Sequence, residues 1–512
     1  MTQSENLTVF LAGLSNLYAG SLGTEPLLML VIGVMIGFVV GILPGLGGSV
    51  TMAMMLPYVI GMEPLSALAL LLGVHSVTAT TGDITSITFG IPGEGISAAV
   101  VADGHSLAKQ GEAARAVSAA LASSLVGALF GAMVLALAIP VVQPLVLMLG
   151  TPEYLMLMLL GICYVAAVSG KNVIKGLLLG LFGFAISMVG LDPIDSIPRY
   201  TMEALMGFNN SLLLWDGIHL VSVTLGLFAV PEIMELMQKK QAFSSPVSNS
   251  KRGLLRGIQD TVAHWKIVLR CSAIGTYIGI LPGLGGSVAQ WVAYGHAAQT
   301  SKNSDQFGQG AIEGVLGPAA SNNSKEGGSL IPTVAFGIPG SLGMAILLGA
   351  FILLGIVPGP GMLDPDQNLS LTFSFVWIIV ITNILAVGVA YLAAGQILKL
   401  TRINPTYLVP ALICFILIGG YGIRNSAIDV IIILIFGLLG WIFKNYHWPR
   451  PPLLLGLVLG GLIENKLFLS LNLYGWEWLG RPGVMIIMVM MFWVILRQVY
   501  QRRTDNSPRN TR

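Results

Sequence analysis

The decapeptide Gly-Ile-Leu-Pro-Gly-Leu-Gly-Gly-Ser-Val runs from Gly41 to Val50 and recurs, letter for letter, from Gly279 to Val288. The copies lie 238 positions apart (279 − 41) in a chain of 512 residues. Each copy ends one apolar run and starts another, and a proline followed by glycines does not continue a helix. A second echo follows, where Phe89-Gly90-Ile91-Pro92-Gly93 returns as Phe336-Gly337-Ile338-Pro339-Gly340. Few folds suit two halves that each carry two Gly/Pro breaks in hydrophobic surroundings. The pattern predicts an internally repeated transport protein whose broken helices meet at a central site. Ordinary loops need not repeat letter for letter.

Composition agrees. The chain is 54% hydrophobic and 10% charged, whereas soluble domains carry ~25% charged residues. That excludes a soluble globular protein and predicts a polytopic one in a lipid bilayer, long enough for roughly 12 spans. Sixty-three glycines suit close helix packing in lipid. A net charge of +2 says nothing about nucleic acid, and no basic patch suggests it, so no nucleic-acid partner is expected. Cys163, Cys271 and Cys414 sit singly in or beside apolar runs and read as small buried hydrophobes, with no disulfide framework. His75, His105 and His219 have no metal-ligand spacing, so structural or interfacial roles are expected, with no metal and no cofactor beyond a coupling ion. Met1 to Glu5 lack the positive start of a cleavable signal peptide.

Apolar runs cover about 27–43, 65–74, 84–102, 117–139, 141–168, 173–191 and 212–230, then 267–281, 288–298, 330–357, 371–398, 407–423, 427–443, 452–463 and 483–500. Several are too short for a bilayer and flank the breaks, as half-helices or re-entrant arms would. The stretch 9–22 reads as an interfacial helix or short span. A basic linker, 238–266, holds Lys239, Lys240, Lys251, Arg252, Arg256 and Lys266 against Asp260 alone. It divides a first repeat, 1–237, from a second, 267–512. The positive-inside rule puts the linker in the cytoplasm, together with the Arg-rich C-terminus. Matching loops carry opposite charge. Lys109 and Arg115 follow the first Phe-Gly-Ile-Pro-Gly, whereas Asp364 and Asp366 follow the second. Between the motifs the first half has only Gly61 to Pro64, while the second has a long polar loop with Lys302 and Lys325. The expected fold is therefore an all-α polytopic membrane protein in two inverted repeats, with broken or re-entrant helices at the Pro-Gly motifs.

The breaks suggest the chemistry. In Gly45, Gly47, Gly48 and Ser49, and again in Gly283, Gly285, Gly286 and Ser287, the glycines permit positive φ and close approach. The serine can cap the helix that restarts. The helix N-terminus then points NH groups into a cavity and attracts carboxylates. Gly93, Gly340 and Ser341 extend this candidate solute site. The strings are neither a Walker A loop nor a Rossmann fingerprint. Asn322 and Asn323 offer amide donors to carboxylates and oxygens to Na⁺; the same stretch also suits a polar cytoplasmic loop, and spacing leaves both open. From Thr78 to Thr88, six of eleven residues are Thr or Ser. Asp83, between Thr81 and Thr85, is a candidate for Na⁺ or H⁺ coupling, or else an exposed loop acid or a helix cap. Gly82-Asp83 resembles an intramembrane aspartyl protease pair, but Asp216 and Asp429 lack a Gly-Asp context, so an enzyme is not expected. The broken regions 41–51, 78–97, 279–290 and 318–344 contain no arginine and only Lys325. Neutral donors are therefore expected to hold the solute.

The chain resembles the large membrane subunit of the tripartite tricarboxylate transporters over nearly its whole length. The likeness rests on Leu43 to Gly48, Asp103-Gly104 through Gly111, Gly226 to Ala229 with Glu232, Ile312 to Val315, Asn322-Asn323, Ile331 to Thr333, Gly337 to Ser341, Gly456 to Gly460, Glu464 and Arg481-Pro482. Gly317-Pro318-Ala319 stands where the family usually has Ala-Pro-Glu, and Thr81-Gly82-Asp83 where it has Gly-Gly-Ser. The resemblance implies a multi-pass permease of the bacterial inner (plasma) membrane. It would act with a small four-helix membrane subunit and a periplasmic solute-binding protein, importing small organic carboxylates by secondary transport. Without an ATP-binding motif, the alternatives are a carboxylate transporter or exchanger independent of a binding protein and, more distantly, an intramembrane enzyme using Asp83.

Overall fold

In hydrocarbon a backbone amide needs a partner within its own segment, so the apolar runs of such a chain become helices. The computed structural model describes residues 3–19, 23–42, 47–90, 92, 97–168, 173–192, 197–201, 214–238, 251–282, 285–393, 409–422 and 424–505. Among these, strand is confined to one short antiparallel pair, β1 (Gly190–Leu191) with β2 (Pro198–Arg199). Six helices are long and apolar enough to cross a membrane: Pro64–Thr88, Ala113–Leu147, Leu220–Met237, Leu369–Leu392, Ala427–Asn445 and Pro451–Gly480. Shorter apolar helices accompany them. The protein is an all-α, multi-pass membrane protein.

In chain order, α1 (Gln3–Tyr18) precedes α2 (Glu25–Gly41), α3 (Gly48–Met55, prolonged by a 3-10 turn at Leu56–Val59), α4 (Pro64–Phe89), α5 (Ala98–Lys109) and α6 (Ala113–Leu147). Next come α7 (Thr151–Val168), α8 (Val173–Ser187), α9 (Leu220–Thr224), a π-helical stretch (Leu225–Ala229) and α10 (Val230–Gln238). The second half holds α11 (Lys251–Ala263), α12 (Trp265–Ile280), α13 (Gly285–Thr300), α14 (Glu313–Phe336), α15 (Leu342–Leu353), α16 (Pro360–Leu363) and α17 (Leu369–Leu392). Helices Val409–Gly422, Ala427–Asn445, Pro451–Tyr474 and Pro482–Asp505 complete the chain.

The two Phe-Gly-Ile-Pro-Gly copies do the same local job. Gly90 (φ 69°) ends α4 and Gly337 (φ 67°) ends α14, both left-handed. Gly90 N donates to Ser86 O and Gly337 N to Thr333 O, a glycine stop followed shortly by proline. The sequence had suggested a break across 78–97 and a loop before residue 330. Instead α4 runs unbroken to Phe89, and α14 starts at Glu313. Their hydroxyls are accommodated without leaving the helix, each bonding a carbonyl one turn back: Thr78 to Val74, Thr81 to Val77, Thr88 to Ile84, Ser329 to Lys325 and Thr333 to Ser329.

Helix directions follow from the contacts. Gly33, Gly37 and Gly41 of α2 lie against Leu70, Val74 and Thr78 of α4, so these helices run parallel. Cys271, Gly275 and Gly279 of α12 lie against Gly317, Ser321 and Lys325 of α14 in the same sense. The chain between each pair must double back, which makes α2–α3 and α12–α13 hairpins. α4 and α14 cross antiparallel, with Ala79 at Asn322, Thr80 at Asn323 and His75 at Glu326. α6 runs parallel to α14, with Ser124, Gly127 and Gly131 against Ala319, Ala320 and Ser324. α17 runs antiparallel to α6: Ser118 meets Tyr391, and Gln143 meets Leu363 just before α17.

The basic linker is not a loose connection where it is described. α11 docks on α6, with Gly257 against Arg115 and Ala119, and Arg115 Nε donates to Asp260 at 2.5 Å. Residues 239–250 lie outside the described residues. In the π stretch, Leu227 O accepts from Arg450 Nη1 at 2.7 Å. Outward faces such as Leu28, Val31, Met35 and Val39 of α2 are apolar and exposed, as lipid contact requires.

Gly37→Leu and Gly275→Leu each drive a side chain into a facing carbonyl, an overpacking cost of about 1–3 kcal/mol. Each should lower the thermal midpoint of the detergent-purified protein by several degrees. Gly295→Leu, in open space, should not. Equal midpoints for all three would refute backbone-to-backbone packing.

Candidate functional site

The first break delivers the N-terminus of α3 to the face of α4. Gly47 is the N-cap and is extended (φ −76°, ψ 163°), and Ser49 lies buried inside the first turn. Thus the positive φ expected at this break is not at Gly47, and the serine is not the cap. What the break needs is closeness at Gly48, where a methyl group would overlap Thr78 Oγ1 and press on His75 Nδ1. The second half supplies another helix start. Ser341 caps α15, its hydroxyl accepting from Met344 N at 3.3 Å. Gly343, one residue further into α15 than Leu342, abuts the other edge of the His75 ring. Gly340 closes on Gly279 O and Ser329. Two helix N-termini, one from each half, therefore meet on one imidazole.

His75 carries this convergence to α14. Its Nε2 lies 3.2 Å from Glu326 Oε2, and Glu326 Oε1 pairs with Lys325 Nζ. All three side chains are no more than 3% exposed. An ion pair sealed from water holds together only when both partners stay, because removing one leaves a buried charge costing several kcal/mol.

Beside the triad runs a ladder of amides and hydroxyls. Asn323 Nδ2 donates to Thr80 Oγ1 at 2.6 Å and to Asn383 Oδ1 at 2.8 Å. Asn383 Nδ2 donates to Ser76 Oγ at 2.7 Å. Asn322 Nδ2 donates to Ala79 O at 3.0 Å. The polar-loop reading of Asn322, Asn323 and Lys325 is therefore wrong: they sit in the interior of a helix enclosed by α4, α6 and α12. Among the described residues, Oδ1 of Asn322 and of Asn323 finds no hydrogen-bond partner, a state that native proteins rarely leave without a purpose.

Asp83 is fully buried within α4, eight residues beyond His75 (83 − 75). It neither faces water nor caps a helix. Thr81 closes under Gly41, and Thr85 Oγ1 donates to Ile42 O at 2.9 Å, holding the end of α2 just before its break. Gly286 is buried in the first turn of α13. Gly45, Gly93 and Gly283 lie outside the described residues, as does the side chain of Ser287, while Gly285 opens α13.

Two features escaped the sequence reading. Glu326 was passed over and His75 was set aside. The motif offset, 247 (336 − 89), is the one signal that sets them in matching segments, mapping His75 onto Asn322 and Ala79 onto Glu326, but it does not show that they meet. Asp103 is the other. Its Oδ1 accepts from the amides of Gly308, Gly310 and Ala311 at 2.8–2.9 Å, and its Oδ2 from Tyr294 OH at 2.9 Å. It locks α5 to the turn before α14. Gly308 and Gly310, both at positive φ, shape that turn.

Residues 27–455 match the profile of the tripartite tricarboxylate transporter TctA family. An uncharacterized 52.8 kDa protein in the TAR-I ttuC' 3' region of Agrobacterium vitis is 33% identical over 436 residues, 85% of each chain. An uncharacterized protein in the TAR-II ttuC' 3' region of the same organism is 39% identical over 193 residues, 38% of this chain and 79% of the relative. No solved structure matches. With a profile match that spans most of its length, the chain belongs to the TctA family of tripartite tricarboxylate transporters.

Proposed function

We propose that this protein is the large permease subunit of a secondary active, binding-protein-dependent uptake system for organic carboxylates, coupled to Na⁺ or H⁺. It would sit in a bacterial inner membrane with a small four-helix subunit and receive its solute from a periplasmic binding protein. The observation that carries this reading is the meeting of the α3 and α15 N-termini on a buried polar crossing of α4 with α14. Helix N-termini aimed at one interior point suit an anionic solute. Gly47, Gly48 and Ser49 of one hairpin, Gly285, Gly286 and Ser287 of the other, and Asn322 and Asn323 between them would line its path. The free asparagine oxygens and Asp83 would serve the coupling cation.

The halves would form inverted repeats, each roughly six spans long. Support comes from direction: α2 and α4 run parallel, α12 and α14 run parallel, and α4 opposes α14. Lys109→Cys and Gln367→Cys, both at exposed positions, should react with an impermeant maleimide from opposite faces of sealed vesicles. Reaction from one face alone would refute the inversion.

The function is tested by citrate uptake into proteoliposomes. Uptake should require both partner subunits and an inward Na⁺ or H⁺ gradient, and ATP should not replace the gradient. Equal uptake without the binding protein would favour an autonomous exchanger. In the same assay, Asp83→Asn should leave the protein folded yet weaken gradient-driven uptake about tenfold, as loss of roughly 1.4 kcal/mol of ion binding would. An unaltered ion dependence would remove Asp83 from the coupling site.

A further inference from the structure

We propose that Glu326 occupies the seat of a solute carboxylate, and that a carboxylate displacing it from Lys325 enters with one proton, taken up by the His75–Glu326 pair. This rests on the carboxylate-uptake reading above and names the groups that would execute it. The seat has the makings of an anion site. The α3 and α15 N-termini meet the His75 ring beside it, at Gly48 and Gly343, and Lys325 pairs with the carboxylate itself. His75 Nδ1, buried and facing Gly48, has no hydrogen-bond partner among the described residues. The anion found there is the protein's own, the Glu326 carboxylate, held by Lys325 on one oxygen and facing His75 with the other.

Charge counting supplies the proton. With Lys325 charged and Glu326 ionised, the sealed site is neutral. A solute carboxylate bound to Lys325 would leave two anions against one cation in a place without water, which is strongly disfavoured. Neutrality returns when one proton is shared between Glu326 and His75. The balance is one carboxylate and one proton in; the Lys325–Glu326 pairing is exchanged for a Lys325–solute pairing, with no change of redox state. Among the described residues the other acids, bases and histidines of the packed helices lie elsewhere: on α5 Asp103 sits at the turn before α14, His105 at Ile87 near the end of α4 and Lys109 is exposed, and α13 carries only His296. Helices α3, α15 and α17 contain no Asp, Glu, Lys, Arg or His. In α2 the sole charge is Glu25, in α6 Arg115 and in α12 Lys266 and Arg270, all toward the helix starts and away from the contacts at Gly41, Gly131 and Gly279. α14 adds only Glu313 at its first turn, and α4 adds only Asp83, about two turns away.

The device also exists once. Under the offset of 247 (336 − 89), Lys325 and Glu326 correspond to Thr78 and Ala79, and His75 to Asn322. The crossing contact His75–Glu326 is thus the counterpart of Asn322–Ala79, and only one of the two carries charge.

The test uses the full-length protein in nanodiscs, titrated calorimetrically with lactate, succinate, L-tartrate and citrate in buffers of different ionisation heat. The wild type should take up close to one proton per bound lactate, the monocarboxylate for which the balance closes, and its affinity should fall about tenfold for each unit of rising pH where that proton is linked. E326Q should bind without proton uptake and, lacking the internal competitor, more tightly than wild type at high pH. K325M strands a buried carboxylate, so the charge-balanced K325M/E326Q carries the other arm: it should fold and lose binding at least tenfold. Wild-type binding without proton uptake, proton uptake retained in E326Q and H75Q, or full affinity in K325M/E326Q would each overturn the proposal alone. Failure of all four carboxylates to bind the wild type would overturn the carboxylate reading and this inference together.

Discussion

Two helices too polar to face lipid are buried against each other, and much of the architecture serves that crossing. α4 and α14 bring hydroxyls, amides and three ionisable side chains into the interior at one level. A buried polar group left without a partner costs about 1–3 kcal/mol, so Asn323, Asn383, Ser76 and Thr80 have to be knit together for the crossing to stand. Their bonds fix the register of α4, α14 and α17 at once. Apolar helices then supply what lipid demands. α2, α6, α12 and α17 turn small residues inward alongside part of their large apolar ones, and leave other hydrophobic side chains facing outward.

Glycine makes this burial possible in two distinct ways. Along α2 and α12 it thins the helix so that backbones touch, which brings α4 and α14 under cover without large side chains between. At Gly90 and Gly337 it turns the chain sharply after each polar helix. After Gly337 the next helix, α15, can then begin beside the crossing rather than beyond it. The same residue type thus governs both the depth of the polar seam and the helix ends that point at it.

Much of this was legible in the sequence, because breaks and apolar runs are local signals. The membrane class, the paired motifs and the resemblance to the family all came from strings that can be read directly. The errors were of one kind. For Thr78 to Thr88 and Ser321 to Ser329 polar side chains left a water-exposed loop open as an alternative, yet most of the hydroxyls bond their own helix, Thr85 bonds Ile42 O, and the surrounding helices remove them from water. Polarity was mistaken for exposure. Gly47 and Ser49 were given roles that belong to Gly90 and to Ser341, since the conformation of a glycine and the exact start of a helix depend on what packs there. Glu326 and Asp103 could not be ranked without their partners, which lie 251 residues (326 − 75) and more than 190 residues away in sequence.

Asp103 has a mechanical consequence. Three backbone amides and a tyrosine hydroxyl hold one carboxylate, so the middle of α5 is anchored to the turn that leads into α14. Bonds to an ionised acceptor are among the stronger ones a protein makes. His105 Nδ1 lies 3.1 Å from Ile87 O, so the same short helix is also tied to α4, and any shift of α4 against α14 has to strain one of the two attachments of α5.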